Sequence, residues 1–322
     1  MFQYANDAIA KKTIDPNCIS VFEEHWWFDA ACPGAWDVRE VLRDNRVVAS
    51  LAFHSYKKLG FNYIGMPELT RTLAPRIAAQ GGKPVTRLQN TTSLLGELID
   101  ALPSFDRLEL CLPPESDLAL PFNLCGMRST ATFTFRTEPH VSQTLWQAME
   151  QKTRNTINAA GRQFGVQLHH DLDRHEKLSR QSTKTRAGDR SNYAAIRRIF
   201  EACHQRSQTI ILTATNDEQQ DVASTILVWD EEVLYYWLSA RLAGVSNGAN
   251  SLLIWKSLEF AGIMGRAFDL DGYITPQNGL FLAKFGLAPE VRHYVTSATP
   301  LWSGLFGVKA LLNGGSGEIS YR

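Results

Sequence analysis

Two apolar runs, residues 221–229 and 232–240, are separated only by Asp230-Glu231. Strands that close together leave room for a hairpin and none for a crossover helix. The same arrangement recurs near the front, where 36–42 and 46–54 flank the turn signal Asp44-Asn45. A doubly wound sheet alternates strand and helix strictly, so this chain is not one. The fold class expected is mixed α/β (α+β), with largely antiparallel mixed sheets flanked by helices.

At 322 residues the chain exceeds what one hydrophobic core usually holds, so two domains are expected. A strand at 130–136, apolar or β-branched at nearly every position, runs into Thr137-Glu138-Pro139, which breaks the pattern. The boundary is placed there, with an N-terminal domain over 1–139 and a C-terminal domain over 140–299. Residues 300–322, with a helix over 302–312, are expected to pack back on the first.

Helices are predicted over 19–30, 90–102, 117–123, 142–164, 193–206, 251–264 and 279–285, and further strands over 107–112, 166–170, 267–270 and 291–297. In the long helix 142–164, Leu145, Trp146, Met149, Ile157, Ala160 and Phe164 form the apolar side. Gln151, Arg154, Asn155, Asn158 and Arg162 form the polar one. Residues 172–192 are predominantly polar and charged and read as a mobile loop.

Several classes are excluded. No run approaches the roughly 18 apolar residues of a membrane helix. The first twenty residues lack the apolar core of a signal peptide, so a cytoplasmic protein is expected. The five cysteines show no C-x-x-C, and no metal site is expected. Net charge is zero, yet residues 151–210 hold twelve Lys/Arg against five Asp/Glu. That excess favours an anionic partner: CoA phosphates, a glycan-linked or lipid-linked phosphate, or tRNA.

The second half resembles the FemAB-like, tandem branch of the GNAT acyltransferase superfamily. Three segments carry the resemblance. They are Gln151-Lys-Thr-Arg-Asn-Thr-Ile-Asn with Ala160-Gly-Arg-Gln-Phe-Gly165-Val; Ser251-Leu-Leu-Ile-Trp255-Lys-Ser with Gly265-Arg-Ala-Phe-Asp269-Leu; and Leu282-Ala-Lys284-Phe285-Gly286-Leu. In the first half, Phe28-Asp-Ala, Trp36-Asp, 47–53 and Gly65-Met-Pro look like the N-terminal repeat of the same proteins. The resemblance implies two tandem GNAT-like domains. Some members of this family transfer an amino acid from aminoacyl-tRNA to a peptidoglycan precursor. Others resemble acyl-CoA-dependent enzymes of polysaccharide or lipid-carrier synthesis, and the absence of a coiled-coil arm tilts the expectation toward those.

Acyl transfer needs a held donor, a hydrogen-bond donor for the oxyanion and a group for the acceptor's proton. The resemblance assigns Lys284 to charge stabilisation. Tyr236 is the expected acid toward the leaving group, because consecutive Tyr235 and Tyr236 point to opposite sheet faces and one must meet the cleft. Asp269 and Asp271 are candidate bases or acceptor ligands. Arg241, Gly244, Gly248, Ala249 and Asn250 occupy the place of a pyrophosphate loop, with glycine spacing that departs from the superfamily pattern. Arg154 and Asn155 are expected to meet the anionic part of the acceptor. The expected reaction is direct transfer from acyl-CoA, acetyl-CoA foremost, to an amine or hydroxyl of a cell-envelope precursor. The alternatives are a tRNA-dependent aminoacyl transferase and an inactive GNAT-like binding module.

Overall fold

The computed structural model describes residues 20–140, 142–182, 192–273 and 275–305. Its elements, in chain order, are α1 His25–Ala31, β1 Trp36–Arg43, β2 Arg46–Lys58, β3 Phe61–Gly65, β4 Arg76–Ile77, α2 Pro84–Asp100, β5 Arg107–Cys111, α3 Ala119–Leu124 and β6 Arg128–Thr137. They continue with α4 Ser142–Ala148, α5 Gln151–Gln163, β7 Gly165–His169, α6 Leu172–Arg180, α7 Tyr193–Gln205, β8 Thr209–Thr215 and β9 Asp221–Trp229. The last are β10 Val233–Arg241, α8 Asn247–Met264, β11 Ala267–Asp269, α9 Pro276–Ala283 and β12 Ala288–Ala298.

Two compact units result. One comprises Phe22–Thr132 with Val291–Arg322, the other Met1–Val21 with Phe133–Glu290. We call them the flanking unit and the central unit.

In the flanking unit the strand order is β1-β2-β3-β5-β12, with β4 beside β2. Every pair is antiparallel except β3 with β5. The core lies between one sheet face and the helices: Leu51, Phe53, Ile64, Leu108, Leu110 and Val295 from strands meet Leu94, Leu95, Leu98 and Phe122 from α2 and α3. Alternation with period two along β2 delivers these side chains to one face.

The central unit has the order β6-β11-β10-β9-β8-β7, and only β10 with β11 is parallel. Its core is built around α8, whose Leu252, Leu253, Ile254, Trp255, Leu258 and Ala261 are all buried. The run of consecutive apolar residues 252–255 gives the helix a wide buried face, as a largely interior position demands. Each large aliphatic side chain so placed contributes about 1.5–3 kcal/mol. The expected class, a mixed and largely antiparallel α/β arrangement flanked by helices, is what the chain adopts.

Several boundaries differ from expectation. The helix over 142–164 is two helices, α4 and α5, broken at Met149 and Glu150, where Glu150 is extended (φ −55°, ψ 133°). The cause is tertiary. The Glu150 N–H donates to the carbonyl of Lys284, and a Cβ on Gly286 would lie 3.1 Å from the Ala148 carbonyl carbon. The second helix starts at Pro84, whose ring suits a first helical position, so Thr91 and Thr92 are interior and cap nothing. The loop expected over 172–192 contains α6, capped by the Asp171 carboxylate accepting from the N–H groups of Asp173 and Arg174. Residues 183–191 lie outside the described residues, as does the stretch 306–322 that held most of the expected last helix. Strands β3 and β8 were not expected at all.

Candidate active site: the gap between β10 and β11

The parallel strands β10 and β11 are paired only at Val233↔Ala267, Leu234↔Phe268 and Tyr235↔Asp269. Beyond Tyr235, β10 runs on to Arg241 while β11 has ended. A register shift between Tyr236 and Leu238 against β9 marks a bulge at Trp237, which bends β10 where the two strands part. Alternation along β10 is thereby interrupted after Tyr236. On the other side, the chain after β11 follows β6, with Leu270 N–H donating to Phe135 O and Phe135 N–H to Asp271 O. The first turn of α8 begins soon after β10 ends. The result is two neighbouring strands of one sheet that part after Tyr235.

A buried ion pair forms the floor on the β11 side. Asp269 Oδ2 accepts from Arg136 Nε at 3.1 Å, with both side chains almost fully buried. Asp269 Oδ1 accepts from Thr134 Oγ1 and from the Asp271 N–H, each at 2.6 Å. Sequence reasoning singled out Asp269 and missed Arg136 and Thr134. Their signal was an arginine just after Phe133 and Phe135 at the buried end of a strand, where a charge must find a partner. Asp271 does not continue the strand. Its φ of 70° is left-handed, a costly conformation for a residue with a Cβ, so it shares no straight strand face with Asp269. Glu290, 3.9 Å from Arg136 Nη1, completes the charge cluster.

Tyr235 and Tyr236 are both buried. The Tyr235 hydroxyl donates to Asp230 Oδ2 at 3.1 Å and lies 3.4 Å from Ser20 Oγ. Asp230 also accepts from the N–H groups of Val21, Glu232 and Val233, and burial pushes its carboxyl upward. Tyr235 and Asp230 thus hold Ser20 and Val21. Tyr236 belongs to the α8 core, its ring edge-on to Phe268 at 6.4 Å. Burial pushes its phenol up to about 12, against hydrogen bonds with Thr225 and Ser239, so it is protonated at neutral pH.

Lys284 caps the C-terminus of α9 and is exposed, its Nζ 3.6 Å from Glu150 Oε2. Arg154 is committed to α4, its Nη1 donating to the carbonyls of Trp146 and Gln147 at 3.3 Å. Asn155 lies on the exposed face of α5, accepting from Gln151 Nε2 at 2.9 Å.

The segment read as a phosphate loop is mostly helix. Gly248, Ala249 and Asn250 sit in the first turn of α8, because the helix starts at Asn247 and not at Ser251. Arg241 Nη1 turns inward to the carbonyl of Val245. Gly244, with φ 79°, makes the turn between strand and helix. A Cβ at Gly248 would lie 3.3 Å from Ala160 Cβ and from Ser246 Oγ, so this glycine serves the close approach of α8 to α5. Ser246 precedes the helix without capping it through its side chain, and Asn250 Oδ1 is buried with no hydrogen-bond partner. Free N–H groups and one idle amide oxygen therefore sit at the start of α8.

Among the described residues no group of three or more His, Cys, Asp or Glu could hold a metal, and no helix is long and apolar enough to cross a membrane. Burial pushes the Cys203 thiol up to about 12, far from a nucleophile's range.

No protein-family model and no curated protein matches the chain. Solved structures do. FemX matches with a TM-score of 0.65 at 12% identity, over 90% of this chain and 95% of that one. The C-terminal domain of a protein described as a lysylphosphatidylglycerol synthetase from Agrobacterium fabrum gives 0.55 at 13% identity, over 93% and 96%. A conserved protein of unknown function from Bacteroides thetaiotaomicron gives 0.53 at 10%, over 85% and 88%. This chain has the fold of FemX.

Proposed function

We propose that this protein is an acyltransferase that takes an aminoacyl group from the 3′ end of a charged tRNA and passes it to an amine or hydroxyl of a lipid-linked or glycan-linked precursor. The observation that carries the reading is the parting of β10 and β11 beside the start of α8, in a fold shared with FemX. The name of the second neighbour, a lysylphosphatidylglycerol synthetase domain, points the same way, toward an aminoacyl product. Acetyl-CoA is the weaker donor. Arg241 and Gly248, which would face its diphosphate, are spent on the loop's own carbonyl and on helix packing.

In this reading the two compact units are tandem GNAT-like domains and the chemistry lies in the central one. The acceptor's nitrogen or oxygen attacks the ester carbonyl carbon, and the bond to the ribose oxygen breaks. The acceptor's proton finally resides on that ribose oxygen. Lys284 stabilises negative charge on the carbonyl oxygen. Asp269 acts through position, fixing the left-handed Asp271, whose carboxylate binds the acceptor. The first-turn N–H groups of α8 receive the last phosphodiester before the aminoacylated ribose of the donor.

The test is a transfer assay with bulk tRNA charged with labelled amino acids, run beside a thermal-shift panel of CoA esters. The expected result is label moving to an envelope-precursor fraction and no CoA ester raising the Tm. A Tm rise with acetyl-CoA and no transfer from tRNA would overturn it in favour of CoA-dependent acylation.

A further inference from the structure

From residue 151 to residue 170 the chain has no Asp or Glu, while Lys152, Arg154 and Arg162 are cationic. Most of that stretch is α5. Arg154 is bound to α4, but Gln151, Lys152, Asn155, Asn158 and Arg162 are exposed. Gln151, Asn155, Asn158 and Arg162 follow the helical period and form one outward stripe, with Lys152 at its edge. Elsewhere on the central unit several arginines are paired with carboxylates. Arg197 meets Asp173 and Glu176, Arg180 meets Glu176, and half-buried Arg174 meets Asp221. The α5 face is different in kind: cations and amide donors only.

Its position is also informative. Thr156 and Ala160 of α5 are the residues against which Gly248 of α8 closes, so α5 borders the start of α8. Lys152 lies one turn before Thr156, whose hydroxyl donates to its carbonyl at 2.9 Å.

We infer that the outer face of α5, from Lys152 through Asn155 and Asn158 to Arg162, docks the phosphodiester backbone of the RNA that carries the acyl group. The inference rests on the tRNA-dependent reading above. Lysines and arginines meet phosphates, and amide side chains donate to phosphate and ribose oxygens without reading sequence. From Gln151 to Arg162 the helix advances about 16 Å, enough to follow several successive phosphates at about 3.4 Å of axis per strand. An anionic membrane is the other polyanion of this kind. A face that enters a bilayer interface carries Trp, Phe or Leu beside its cations, and these five exposed residues include none.

The experiment is fluorescence anisotropy of the full chain with deacylated tRNA across a salt series, comparing wild type, the double variant K152E/R162E and the control K57E/K58E on β2. Wild type should bind with a steep salt dependence. K152E/R162E should keep its Tm, lose about tenfold or more in affinity at low salt and flatten the log–log salt slope by about 2. The control should change little. Unaltered binding by K152E/R162E, or equal loss in the control, overturns the docking surface and leaves the tRNA reading standing. No tRNA binding by wild type overturns the reading and the surface together. Binding of phosphatidylglycerol vesicles that depends on Lys152 and Arg162, with tRNA binding indifferent to them, overturns the surface in favour of a membrane.

Discussion

The two units repeat one run of elements: three strands in a meander, a helix, then a strand parallel to the third. In the flanking unit this is β1-β2-β3, α2, β5; in the central unit it is β8-β9-β10, α8, β11. The parallel pairs are equally short, Tyr63↔Arg107 to Gly65↔Glu109 in one and Val233↔Ala267 to Tyr235↔Asp269 in the other. The difference is what happens next. β3 ends at Gly65, where its pairing ends, and Gly65 lets the backbones close so tightly that a Cβ would lie 2.7 Å from the Glu109 carbonyl oxygen. β10 continues past its last pair, bends at a bulge and leaves a gap. Even the carboxylates correspond: Glu109 and Asp269 occupy the last paired position, each with an arginine Nε beside it. Glu109 is part-exposed, whereas Asp269 is sealed. One copy of the run ends with its pairing, and in the other a strand outruns its partner.

This comparison is broken most sharply by removing the carboxylates. Asp269→Ala strands the Arg136 charge in the interior and should cost about 3–5 kcal/mol. Glu109→Ala, removing a part-exposed pair, should cost about 1 kcal/mol or less. Equal losses in urea denaturation would mean that the two positions are not energetically distinct.

Acid should find the central unit first. His175 is buried with its Nδ1 2.7 Å from Ser224 Oγ, and burial pulls its pKa down to about 4. The groups facing it include His169, which lowers it further, and Glu176, which raises it. His140, His169 and His170 are also lowered by burial, as is His54 in the flanking unit. A histidine whose folded pKa lies below its unfolded value binds protons preferentially when unfolded. Its contribution is therefore intact above about pH 6.5 and lost progressively as pH falls toward 4, by up to about 3 kcal/mol. Denaturation midpoints measured across that range should fall, and His175→Gln should flatten the curve.

Gly65→Ala, which pushes a methyl onto a backbone oxygen, should cost about 1–3 kcal/mol. Gly248→Ala should cost less, because Ala is the better helix residue and its contacts, at 3.3 Å to Ala160 Cβ and Ser246 Oγ, are less severe than 2.7 Å to a backbone oxygen. Comparing the two Tm values checks whether the flanking pair is the tighter.

The smallest stability change belongs to Lys284→Ala, which removes only an exposed pair with Glu150 and should cost about 1 kcal/mol or less. Under the proposed reading it should nonetheless lower turnover about tenfold or more. A full-rate, folded variant would remove Lys284 from the site.

The sequence by itself determined the class of fold and its elements where local physics is strong. Asp230-Glu231 between two apolar runs, Asp44-Asn45 between two others and Gly265 after a helix each impose a hairpin or an ending through a few neighbouring residues. It also marked α8, Lys284 and Asp269 by motif. Tertiary structure decided what non-local contacts decide. The long helix breaks at Glu150 because the distant Lys284 carbonyl takes its N–H. Asp269 is a buried, fully engaged carboxylate because Thr134 and Arg136 arrive from a strand that precedes it by more than a hundred residues. Gly248 looked like a phosphate glycine and proved a packing glycine, because α5 lies against it. The gap itself was invisible in the sequence. It arises from one strand outlasting its partner, and pairing length is a property of two segments together that neither spells alone.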